Sequence, residues 1–79
     1  MSIQVLFFGA TAAVTGQRRI QVESPNGTPS AQVFGKILAD YPRLAAHKLH
    51  YSVNQQYAKG DEVLNDGDEL AIFTAVSGG

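Results

Sequence analysis

Val33-Phe34-Gly35-Lys36-Ile37-Leu38-Ala39-Asp40-Tyr41-Pro42 decides the fold, because it is the one strongly helical stretch in a chain otherwise patterned for strands. Val33, Phe34, Ile37, Leu38 and Tyr41 fall at spacings of one, three or four, which gather on a single stripe at 3.6 residues per turn. Pro42 ends the helix at or near Tyr41. Upstream, Ser24-Pro25-Asn26-Gly27-Thr28-Pro29-Ser30 is dense in turn formers and reads as a loop, from which Thr28 or Ser30 is expected to cap the helix. Gly35 costs about 1 kcal/mol relative to alanine within a helix and is read as permitting close approach to a sheet.

Outward from this helix the period changes to two. Residues 2–9 carry Ile3, Val5 and Phe7 alternating with Gln4, Leu6 and Phe8, a strand expected to be central and covered on both sides. After a turn near Gly16, Arg19-Ile20-Gln21-Val22-Glu23 alternates cleanly and should return antiparallel to it. Beyond Pro42, residues 43–48 have room for a further helical turn. Leu49-His50-Tyr51-Ser52-Val53 reads as a strand, Asn54-Gln55 as a tight turn, and Gln56-Tyr57 as a short strand. Lys59-Gly60-Asp61 marks another turn, and Asn65-Asp66-Gly67-Asp68 a hairpin turn, since Gly67 supplies the positive φ of a tight reversal. A last apolar strand runs from Glu69 to Thr74. The order β-β-α-β-β, with one helix against a mixed sheet, is an α+β two-layer sandwich.

Composition narrows the function. Seventy-nine residues, 44% hydrophobic and 16% charged, make one packed domain with little stability to spare and no room for a large internal cleft. The absence of cysteine excludes a disulfide scaffold, a thiolate metal site and a cysteine nucleophile. His47 and His50 lack a third ligand nearby and read as surface residues. Tyr41, Tyr51 and Tyr57 read as packing residues. No apolar run is long enough for a membrane span and no basic leader segment is present, so a cytoplasmic location is expected. The net charge of -1 conceals an asymmetry: every Lys and Arg lies at or before Lys59, whereas Asp61, Glu62, Asp66, Asp68 and Glu69 crowd the approach to the last strand. Scattered cations argue against a nucleic-acid partner. The acidic run is either a face that steers docking onto a basic partner or a solvated turn region.

The sequence closes on Ser77-Gly78-Gly79, directly after the last strand. Without Cβ atoms, two glycines can enter a channel too narrow for side chains. Together with Val5-Leu6-Phe7-Phe8-Gly9, Val53-Asn54-Gln55 before Tyr57, Asp66-Gly67-Asp68-Glu69-Leu70 and Val76-Ser77-Gly78-Gly79, this makes the chain resemble, over essentially its whole length, the small sulfur-carrying subunits of molybdopterin synthase in the MoaD/ThiS family.

That resemblance implies a β-grasp, ubiquitin-like domain over residues 1–74 and a tail over 75–79. It implies that a partner resembling ubiquitin-activating E1 enzymes consumes ATP to adenylate Gly79, that a sulfurtransferase supplies sulfur for a Gly79 thiocarboxylate, and that Val76, Ser77 and Gly78 thread into the synthase large subunit. There the sulfur passes to cyclic pyranopterin monophosphate. The chain itself is then a non-catalytic donor subunit that binds no cofactor or metal, in an assembly expected to be a heterotetramer. Carriers for thiamin, cysteine or thiolated tRNA, and protein modifiers, share this logic and stay open. Phe7 and Phe73 are the candidates for the partner interface, with Phe7 the more core-like of the two. Two departures stand out: Ala12-Ala13 replaces a common Arg-Glu pair, and Thr74-Ala75 replaces a frequent proline-containing pair, which implies a more flexible tail.

Overall fold

The computed structural model describes residues 1–74. Strand β1 (Ser2–Phe7) is followed by a short helix α1 (Ala10–Thr15), strand β2 (Arg19–Glu23), the main helix α2 (Ser30–Asp40) and a 3-10 turn (Pro42–Ala46). Strands β3 (Leu49–Val53), β4 (Gln56–Tyr57) and β5 (Glu69–Thr74) complete the domain. The sheet order is β2-β1-β5-β3-β4. β5 is therefore central, parallel to β1 and antiparallel to β3. This is the expected α+β β-grasp sandwich.

Packing follows the alternation of the strands. Ile3, Val5 and Phe7 of β1, Val22 of β2, and Leu70 and Ile72 of β5 turn toward Val33 and Ile37 of α2, and Leu44 and Leu64 close the core. Phe7 meets Tyr41 edge-on at 5.7 Å, and Phe34 stacks on Tyr51 at 4.4 Å. Only one face of β1 is buried, so the expected cover on both sides is absent: Gln4 and Leu6 are half-exposed because, among the described residues, no second layer lies beyond the sheet. The helix α1 was hidden from periodicity by its six-residue length. It is entered through Gly9 at φ +57° and left through Gly16 at φ +72°, both left-handed positions that favour glycine. Asn54 and Gln55 both adopt positive φ, as a two-residue hairpin turn between β3 and β4 requires.

The cap of α2 differs from expectation. Neither Thr28 nor Ser30 caps the helix with its side chain. Thr28 Oγ1 donates to the Pro25 carbonyl, while the amides of Ser30 and Ala31 donate to the carbonyls of Glu62 and Gly60 at 2.8 and 3.1 Å. A neighbouring loop thus satisfies the helix start. Glu62 organises that loop: its carboxylate accepts Ser30 Oγ at 2.6 Å and the amides of Lys59 and Gly60 at 2.6 and 3.0 Å. The Ser30 hydroxyl, followed by the Lys59 amide, holds the Glu62 carboxyl well down, at about 2 against an ordinary 4.5. Likewise, Asn65-Asp66-Gly67-Asp68 reverses the chain, with Gly67 at φ +87°, but does not join neighbouring strands as a hairpin. It feeds β5 into the gap between β1 and β3.

Gly35 makes no close approach either: a Cβ built there meets nothing within 4 Å and its φ is not left-handed. Gly35→Ala is therefore expected to stabilise the domain by about 0.5–1 kcal/mol in urea unfolding, because only the helical cost of glycine is removed. For Glu62, a carboxylate held below its ordinary value contributes stability that is complete above the ordinary value and lost as pH falls toward the lowered one. Glu62→Gln should accordingly flatten the fall in stability between pH 4.5 and about 2, as followed by acid titration of circular dichroism.

Candidate functional site

The site is built around the place where the chain leaves β5. Thr74 lies opposite Leu49, Phe73 opposite His50, and Ile72 beside Phe7, so β5 is paired on both flanks as far as Ile72 and by β3 alone at its last two residues. The Ile72 carbonyl accepts two hydrogen bonds, from the Phe8 amide at 3.0 Å and from Thr11 Oγ1 at 3.0 Å. Thr11 is completely buried and its hydroxyl also approaches the Phe8 carbonyl at 2.7 Å. Helix α1 therefore serves as a peg that fixes the corner between β1 and the end of β5. No periodic signal marked Thr11, since its role depends on a partner sixty-one positions away.

Parity along β5 separates the two phenylalanine candidates. Phe7 is 2% exposed and points into the core against Tyr41. It is corrected from interface to core: its ring fills the space under β1 and has no face left for a partner. Phe73 points the other way, onto the open face of the sheet, and is half-buried. His50 stacks near it at 6.0 Å and Tyr57 meets it edge-on at 5.9 Å. Tyr57 is 77% exposed, so it too departs from its reading as a packing residue. Beside them, Leu6, Ala71, Ser52 and Tyr57 stand abreast in register across four strands. Phe8, 51% exposed, flanks the same end of the sheet. The result is an aromatic band on the open face, next to the tail's root. His50 and Tyr57 escaped the sequence reading because strand register is a non-local property.

Charge is sorted along the strands. Arg18 and Arg19 precede and begin β2 beside Leu6, and Lys48 leads into Leu49, so the topology gathers cations at the end where Thr74 lies. The acids of the turn that leads into β5 lie at the other end. Asp66 accepts the Ser2 amide, Asp68 accepts the Asn65 amide and the Asn54 side-chain amide, and Glu62 holds its own loop. These carboxylates build turns at the far pole of the sheet, as the solvated-turn reading of the acidic run expects. Among the described residues no group of three metal-ligating side chains occurs, and no helix is long and apolar enough to cross a membrane. Gly79, Gly78, Ser77 and Val76 lie outside the described residues.

The arrangement is a strand end flanked on both sides at Ile72 and by β3 beyond it, with an aromatic band and a basic rim. Phe7→Ala should cost about 3–5 kcal/mol in urea unfolding as a core deletion. Phe73→Ala should cost about 1 kcal/mol, since its ring is only half-buried.

Comparison with known proteins places this geometry. The chain is 37% identical over 82 residues to the molybdopterin synthase sulfur carrier subunit of Mycobacterium tuberculosis, covering 100% of this chain and 99% of that one. Its fold matches SAMP1 of Haloferax volcanii with a TM-score of 0.87 and 25% identity, over 100% of both chains. It also matches a chain in the complex of subunits 1 and 2 of the molybdopterin-converting factor from Helicobacter pylori, with a TM-score of 0.72 and 21% identity over 100% of both chains. The model described as the ThiS family matches residues 5–79, and the chain belongs to that family.

Proposed function

We propose that this chain is the sulfur-carrier small subunit of molybdopterin synthase. The observation that carries the reading is its end-to-end relation to a protein of that name in Mycobacterium tuberculosis. In this reading Gly79 is the reacting residue. A carboxylate is a poor electrophile, so an adenylating partner related to E1 enzymes joins it to AMP, consuming ATP and releasing pyrophosphate. The persulfide of a sulfurtransferase then displaces AMP to form an acyl disulfide, and a second thiol attacks the donor's cysteine sulfur, forming a disulfide with it and releasing the Gly79 thiocarboxylate.

The charged tail, Val76 through Gly79, enters the large subunit, where its sulfur passes to cyclic pyranopterin monophosphate and contributes to the dithiolene. The two-subunit complex from Helicobacter pylori supports such a partner. The aromatic band of Phe73, His50 and Tyr57 supplies the apolar docking patch, and the basic rim favours an acidic partner surface. Proximity is the physical gain: a sulfur tethered to a docked domain reacts as a positioned neighbour, not as a solute. All these steps fit a cytoplasmic protein.

A second reading has its own support. SAMP1 is described as a small archaeal modifier protein, and a modifier joins its terminal glycine to lysine through an isopeptide bond. Both readings share the adenylate and differ in the acceptor. Incubation with ATP, an adenylating enzyme and a persulfide donor should raise the intact mass by the difference between one sulfur and one oxygen atom. Removal of Gly78 and Gly79 should abolish that increase, and addition of the large subunit with the pterin should reverse it. Ladders above the free protein on a denaturing gel, with no mass increase of the free chain, would overturn the carrier reading in favour of the modifier.

A further inference from the structure

We infer that strand β2 is a self-recognition edge, through which two copies of this chain join their sheets about a two-fold axis at Gln21. β2 lies at one end of the sheet order and is the longer of its two edges, five residues against the two of β4. An edge strand presents a row of unpaired amides and carbonyls to any strand of matching register. Three features of this edge select its own copy.

The first is hydrogen-bond parity. Phe7 donates to the Arg18 carbonyl at 2.9 Å, and Met1 and Ser24 exchange bonds of 2.8 and 3.0 Å. In an antiparallel ladder the bonded pairs alternate, so Arg18, Ile20, Val22 and Ser24 direct their backbone groups to β1. Arg19, Gln21 and Glu23 direct theirs outward. A second β2 laid antiparallel about Gln21 sets Arg19 against Glu23, Gln21 against Gln21 and Glu23 against Arg19, all at bonding positions. Pro25 has the same parity but no N–H, and it closes the ladder.

The second is charge. Arg19, Gln21 and Glu23 are exposed on the open face, and this one register opposes each arginine to a glutamate of the other copy. A parallel pairing in register would oppose like charges. The third is apolar: on the helix side Ile20, half-buried, comes opposite Val22 of the second copy. Cross-strand pairs of both kinds favour the register they occupy.

Lys36 sets the strength of the contact. Its ammonium donates to the Glu23 carbonyl at 2.9 Å, which caps one of the outward groups and must be released before pairing. With a short strand and a competing cap, the association is weak and reversible. It also leaves the tail free: β5 lies two strands inward, and the two-fold axis sends the two strand ends in opposite directions.

The test is sedimentation equilibrium of the full chain from about 10 μM to about 1 mM, a range suited to a small interface. A monomer–dimer equilibrium is expected. Arg19→Glu and Glu23→Arg should each weaken it by roughly tenfold or more, and the double exchange should restore it to within about threefold, because opposed charges return. Lys36→Met should tighten it. Amide exchange of the wild-type chain should slow with concentration at Arg19, Gln21 and Glu23, while Ile20 and Val22, already bonded to β1, stay unchanged. A chain that remains monomeric throughout, also as Lys36→Met, overturns the inference. So does a dimer indifferent to both charge reversals, or one whose new protection falls on other strands.

Discussion

The structure depends on placing its last strand in the middle of its sheet. β5 pairs parallel with the first strand and antiparallel with β3, so the strands at either side of it remain separate until residues 69–74 arrive. Parallel pairing of β1 with β5 requires a long crossover, and the helix α2 supplies the layer that covers it. Leu70 and Ile72, both fully buried, are the residues that lock the closing strand into the core. The cost is kinetic, since contacts between positions near the two ends of the chain must form before the sheet is complete. The gain is positional: the chain leaves the domain from its most constrained strand.

Two loops make that insertion possible, and both work by spending polar groups on backbone. The loop around Glu62 completes the start of α2 with its carbonyls and uses its carboxylate to hold its own amides. The turn at Asp66 and Asp68 ties the beginning of β5 to Ser2 and Asn54. Among the described residues no buried side-chain nitrogen or oxygen is left without a partner. For a domain this small, where net stability is a modest difference between large opposing contributions, such complete pairing matters as much as the apolar core.

Local signals explain what was legible in the sequence. The alternation of Ile3, Val5 and Phe7, the stripe of Val33 and Ile37 and the break at Pro42 act within a few residues, and each led to the correct element. The readings that failed needed distant partners. Ser30 looks like a cap by composition, yet its hydroxyl is claimed by Glu62, thirty-two positions away. Gly35 suggested a close approach, but the face of the helix it occupies is open. Phe7 and Phe73 have the same chemistry, and only their opposite parity on neighbouring strands separates a core ring from a surface one. Gly78 and Gly79 stand out by their lack of side chains, a property legible without any fold.

A carrier has to combine two opposed mechanical demands. The delivering segment must enter narrow sites in more than one partner, which favours small residues, while its point of attachment must be fixed so that docking converts directly into position. Here the fixed point is the Ile72 carbonyl, held by Phe8 and by Thr11 from a helix of only six residues. Without that peg the end of β5 would be held on the β3 side alone, through Phe73 and Thr74, and the aromatic band around Phe73 would be less firmly fixed relative to the chain's exit. Docking energy would then be consumed in ordering the strand. The short helix therefore bears on the site through position: it keeps the aromatic band and the end of β5 in one rigid frame.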